Sequence, residues 1–129
     1  MDIQRTGIIL NTENYDACVV FYRELFNLPV MFEKIEGDFR LTCLGFGGSY
    51  LMVETEGYAK PAGKTLAENA TKLRFNVADL ELVRQRILAF GLDAEIINSS
   101  WGSTINIVDP DGNRVGIRDE SGFAKQCGA

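Results

Sequence analysis

The chain has 129 residues, 46% hydrophobic and 24% charged, which is long enough and apolar enough for one globular domain with a sizeable core. Its net charge of −5 and pI of about 4.7 argue against nonspecific nucleic-acid binding, because phosphates require a basic surface. No apolar run approaches the roughly 18 residues a membrane span needs, and Met1-Asp2-Ile3-Gln4-Arg5 lacks the basic-then-apolar layout of a signal peptide, so a cytoplasmic location is expected.

In chain order, a short apolar strand is expected from about Arg5 to Leu10, followed by the polar break Asn11-Thr12-Glu13-Asn14, with Asn14 as helix N-cap. A helix follows from about Tyr15 to Phe26, because Tyr15, Cys18, Val19, Tyr22, Leu25 and Phe26 recur at spacings of three and four. Asn27-Leu28-Pro29 stops it, since proline disfavours helix at the residue before it. Three strands come next: Val30 to Ile35, Phe39 to Gly45 and Ser49 to Glu54. The turns between them are Glu36-Gly37-Asp38 and Gly47-Gly48.

A polar, glycine-containing connector then runs from about Thr55 to Ala70. The second half opens with a strand from Lys72 to Val77, the N-cap Asp79, a helix from Leu80 to Phe90 and Gly91 as its stop. Strands near Ala94 to Ile97, Ser103 to Val108 and Arg114 to Arg118 complete it, with Asp109-Pro110-Asp111-Gly112-Asn113 as a tight turn. The segment Ser121 to Ala129 is small and polar and is expected to fray.

The order of elements is the same in both halves. At a shift of about 65 positions Asn14 lands on Asp79, and Tyr15, Cys18, Tyr22 and Leu25 land on Leu80, Val83, Ile87 and Phe90. At the same shift Tyr50 and Met52 land on Val115 and Ile117. A long period in two copies indicates a duplicated supersecondary unit, here at about 3–56 and 70–120 with a linker at about 57–69. Three cysteines, Cys18, Cys43 and Cys127, lie far apart with no C-x-x-C pair, so neither a disulfide framework nor a structural zinc site is suggested.

This βαβββ order, twice over, resembles the vicinal oxygen chelate superfamily of glyoxalases, extradiol dioxygenases and bleomycin resistance proteins. The stretches carrying the resemblance are Phe21-Tyr22-Arg23-Glu24-Leu25-Phe26-Asn27-Leu28, Phe75-Asn76-Val77-Ala78-Asp79-Leu80 and Asp109-Pro110-Asp111-Gly112-Asn113. The resemblance implies an α+β fold in which two tandem units roll into an open cup of mixed β-sheet, commonly as a homodimer. It also implies four ligand positions for a divalent metal, which fall here on Gly7, Leu51, Lys72 and Gly116. None is a metal ligand, the chain has no histidine, and no Cys, Asp and Glu cluster replaces the set. No metal and no other cofactor is therefore expected, which is the pattern of the bleomycin resistance branch.

Strand side chains alternate between faces, so counting from those four positions names the residues expected to look into the cup. They are Gly7 and Ile9, then Leu51 and Val53, then Lys72, Arg74 and Asn76, and finally Arg114, Gly116 and Arg118. Trp101, before Gly102, is added because its indole can stack on a flat ligand. One wall is then aliphatic and the other basic. The cations either hold an anionic ligand group or pair with acidic residues of the protein or its dimer mate. The two glycines leave room for a ligand to approach the backbone.

Three functions remain open. The leading one is a metal-independent protein that sequesters an anionic or aromatic small molecule, as antibiotic resistance proteins of this kind do. The second is a metal-independent lyase or isomerase, with Lys72, Tyr50, Tyr58, Cys43 or a cup-facing carboxylate available for acid–base work. The third is a dimeric scaffold without a ligand.

Overall fold

Two-residue glycine turns and a helix with one apolar stripe are enough to fold the first half locally. The chain divides into two units, Met1–Pro61 and Ala62–Ala129, and a computed structural model describes residues 1–129. In the first unit β1 (Gly7–Asn11) leads to α1 (Tyr15–Val20), then to β2 (Val30–Glu36), β3 (Phe39–Phe46) and β4 (Ser49–Glu54). The sheet order is β1-β4-β3-β2, with β1 parallel to β4 and the other pairs antiparallel. Gly47 carries the positive φ of 60° that closes the β3–β4 hairpin.

The stripe predicted for the first helix is buried: Tyr15, Cys18, Val19, Tyr22 and Leu25 all lie in the core. Its last turn differs from the expected α-helix. Phe21–Leu25 is a π-helical turn, and the Leu28 N–H donates back to the Tyr22 carbonyl at 3.3 Å. Asn27 ends it in the left-handed region (φ 57°), a conformation asparagine tolerates better than most residues, just before the Pro29 block. Asn14 precedes the helix but makes no side-chain capping bond.

The second unit repeats the plan. Its elements are β5 (Leu73–Val77), α2 (Leu80–Phe90), β6 (Ile97–Ser99), β7 (Gly102–Val108), β8 (Arg114–Asp119) and α3 (Glu120–Gln126). The sheet order β5-β8-β7-β6, with β5 parallel to β8, copies that of the first. Asp79 caps α2 by accepting from the Leu82 N–H at 3.0 Å, and Gly91 at φ 101° ends it. The Asp109–Asn113 turn is built around one buried carboxylate: Asp109 accepts from the amides of Asp111 and Asn113 and from the Asn113 side chain, each at 2.9 Å. Lys64, also buried, donates to Asn113 Oδ1 at 2.9 Å and ties the incoming connector to that turn.

Two expectations about elements need correcting. The sixth strand forms at Ile97–Ser99 rather than 94–97. The C-terminal segment does not fray. Asp119 caps α3 by accepting from the Gly122 N–H at 2.8 Å, and the helix is fastened to the sheet through Arg118. No helix is long and apolar enough to cross a membrane.

The facing of β4 is the main correction. Thr42 pairs with Val53, and the Tyr15 hydroxyl of α1 shares a hydrogen bond with the Thr42 hydroxyl, so Val53 and Leu51 lie on the α1 side of the sheet. Both are fully buried. Tyr50 and Met52 point the other way, in register with Gly7 and Ile9. Leu51 and Val53 are thus core residues and cannot line the opposite face. The repeat spacing explains the error: Ile9 pairs with Met52 and Arg74 with Gly116, so β8 follows β4 at one residue less than the spacing of the helices. A slip of one residue exchanges the two faces of a strand.

Candidate functional site

In the second unit the expected facing holds. Leu73, Ile105, Val115 and Ile117 are buried on the side of β7 and β8 that α2 packs against. The opposite face carries a row across three strands, Arg74 on β5, Gly116 on β8 and Asn106 on β7. Lys72, just before β5, reaches over Gly116 and donates to Asn106 Oδ1 at 2.7 Å. A Cβ on Gly116 would stand 2.8 Å from Lys72 Cε and 3.4 Å from Arg74 Cζ. Gly116 has no left-handed φ; its role is to leave the space that two cationic side chains occupy.

The basic residues of this face are not equivalent. Arg118 is committed to structure: its guanidinium lies between the rings of Trp101 and Phe123, at 4.8 and 5.3 Å from their centroids. It donates to Gln126 Oε1 at 2.9 Å and to the Trp101 carbonyl at 3.1 Å, which buries it and holds α3 against β8. Asn76 donates to Glu120 Oε1 at 3.0 Å. Arg114 donates through Nη2 to the Asn69 carbonyl at 3.0 Å, while its Nε is buried without a hydrogen-bond partner. Arg74 is exposed and makes neither a hydrogen bond nor an ion pair.

Within the second unit no carboxylate pairs with Lys72, Arg74 or Arg114. Asp119 and Glu120 sit toward Arg118, where backbone amides of Ser103 and Gly122 hold the Asp119 carboxyl below the usual range. Burial, then the Arg74 and Arg114 charges, push the Lys72 amine down. Burial and the Arg118 charge do the same to Arg74. This face therefore holds like charges at close quarters with no counter-ion.

In the first unit the corresponding face differs. A Cβ on Gly7 would collide with the ring of Tyr50, so the space expected above that glycine belongs to a phenol. Ile9 is exposed beside it. Trp101 is half exposed, with one ring face already covered by Arg118. The eleven residues read from the sequence thus separate into core (Leu51, Val53), a first-unit surface (Gly7, Ile9), a structural clamp (Trp101, Arg118, Asn76) and the cationic cluster (Lys72, Arg74, Arg114, Gly116).

Sequence reasoning missed Asn106, Asn69, Phe123 and Gln126. Asn106 alone had a signal, as the polar residue between Ile105 and Ile107 on a strand of otherwise alternating character. The four metal positions implied by the resemblance carry no histidine, carboxylate or thiol, and no three Cys, Asp or Glu side chains stand close enough to share an ion. The donor set does not fit a divalent metal.

No protein-family model and no curated protein matches the sequence. Solved structures do match. Glyoxalase I of Leishmania major, described as trypanothione-dependent, is similar with a TM-score of 0.78 at 15% identity, over 98% of this chain and 94% of that one. A genomically encoded fosfomycin resistance protein of Listeria monocytogenes gives 0.74 at 13% identity, over 92% and 94%. Lactoylglutathione lyase of Agrobacterium tumefaciens gives 0.69 at 19% identity, over 92% and 95%. With its doubled βαβββ topology and these matches across nearly its full length, the chain has the α+β fold of the vicinal oxygen chelate superfamily.

Proposed function

We propose that the protein is a metal-independent binder of a small anionic molecule, held on the β5-β8-β7 face of the second unit by Lys72, Arg74 and Arg114. The observation that carries this reading is a cluster of three cations without an acidic partner, arranged over a glycine. Uncompensated like charges destabilise a fold, and an anion converts that cost into charge-assisted hydrogen bonds. The buried, unpartnered Nε of Arg114 is a donor in want of an acceptor.

One neighbour of the same fold, a variant of the Listeria fosfomycin resistance protein, is seen with Mn(II) and a dihydroxypropylphosphonic acid. This chain supplies positive charge from its own side chains, so an anion needs no metal here. We further propose a homodimer. The edge strand β2 leaves Val30, Met31, Phe32 and Ile35 exposed, apolar side chains on its two faces beside unpaired backbone groups.

Titration calorimetry and thermal unfolding with inorganic phosphate, sulfate, pyruvate and phenylpyruvate test the binding reading, because a ligand of the native state raises apparent stability. Stabilisation that disappears in Arg74→Ala is expected. Equal responses of the wild type and that variant to every anion would sink it.

A further inference from the structure

Among the second unit's cations, Lys72 stands apart. A guanidinium is not a nucleophile, but an amine becomes one once it loses its proton. Lys72 Nζ is held in place by Asn106 Oδ1 at 2.7 Å and lies 3.4 Å from the empty Cβ position of Gly116. It meets Arg74 from β5, Arg114 from β8 and the neutral Asn106 from β7, and no carboxylate of the second unit faces it.

We propose that Lys72 condenses with the carbonyl group of a 2-oxo carboxylate whose carboxylate is held by Arg74 and Arg114. This inference rests on the anion-binding reading above and adds a covalent step to it. The uncharged Nζ lone pair attacks the carbonyl carbon, a C–N bond forms, and the carbonyl π pair moves to oxygen, which takes a proton. The carbinolamine then loses its hydroxyl as water as the nitrogen lone pair closes the C=N bond. One amine, one carbonyl and one proton give one protonated imine and one water, with no oxidant or reductant.

Several features of the site favour that step. The cations that bind the carboxylate are the same ones that disfavour the ammonium form, and burial acts in the same direction. The positive charge of the protonated imine is offset by the substrate carboxylate bound beside it.

The test is reductive trapping on the full-length protein. Protein is incubated with pyruvate or phenylpyruvate and sodium cyanoborohydride near pH 8, and the adduct is located by intact mass and peptide mapping. The chain's other lysines, Lys34, Lys60, Lys64 and Lys125, are internal controls. Labelling at Lys72 about tenfold faster than at any other lysine, suppressed by competing phosphate, is expected from the combined effects of proximity and activation. Lys72→Arg removes the amine and loses the adduct. Binding without preferential Lys72 labelling would overturn the covalent step and leave the anion site intact. Absence of binding by any anion would overturn both.

Discussion

Replacing Gly116 by alanine separates the proposed site from the fold that carries it. The new Cβ would stand 2.8 Å from Lys72 Cε and 3.4 Å from Arg74 Cζ. Lys72 must therefore retreat by several tenths of an ångström or more to reach ordinary contact. The obstructing atom is the far end of a flexible side chain, and the backbone needs no left-handed φ at this position. Alanine in a strand also recovers about 0.5–1 kcal/mol of the glycine penalty, so net stability should change by no more than about 1 kcal/mol. Binding should respond differently. A hydrogen bond to a charged group contributes about 1.5–3 kcal/mol, and misaligning one of them weakens an anion roughly tenfold to a hundredfold. Urea unfolding and calorimetry with phosphate on the same preparations read both quantities. Unchanged affinity in a folded Gly116→Ala protein refutes the placement of the anion over this glycine, and a loss of several kcal/mol in stability refutes the packing argument.

Further outcomes are expected elsewhere in the molecule. Leu51→Ala should cost about 2–5 kcal/mol of stability, as a fully buried leucine does, and Met52→Ala under about 1 kcal/mol; the reverse order in denaturant titrations would restore the facing read from the sequence. Asp119 has a folded-state pKa below its ordinary value, so its contribution is present above the unfolded pKa of about 3.9 and is lost as pH falls through the folded one. The fluorescence of the single tryptophan, Trp101, should report α3 loosening in that acid window, and Asp119→Asn should remove the transition; an unaltered profile in the variant counts against it. Ile35→Lys together with Phe32→Lys should shift the protein from dimer to monomer in sedimentation, and a wild type that is monomeric at high concentration removes the β2 interface.

Much of the architecture was legible because it is written in local patterns. The α1 stripe at spacings of three and four, the Gly47-Gly48 hairpin, the Asp79 cap with the Gly91 stop, and the Asp109–Asn113 turn each act within a few residues. Their repetition announced a duplicated unit. The facing of β1, β5 and β8 also followed, since Gly7 and Ile9, Lys72 and Arg74, and Gly116 keep the parity assigned to them. That of β4 did not, because one residue of difference between the repeats changes no composition and yet reverses a strand.

What the sequence determined unaided is the order of elements and its repetition in two like halves, both properties of residue type and short-range spacing. Tertiary structure alone decided which cations remain available. Arg118 and Arg114 look alike as letters, but Arg118 is enclosed by Trp101 and by Phe123 and Gln126 of a helix the sequence did not announce, while Arg114 is left beside Lys72 and Arg74. Partners supplied by distant segments set whether a charge is satisfied, and side-chain identity carries no record of them.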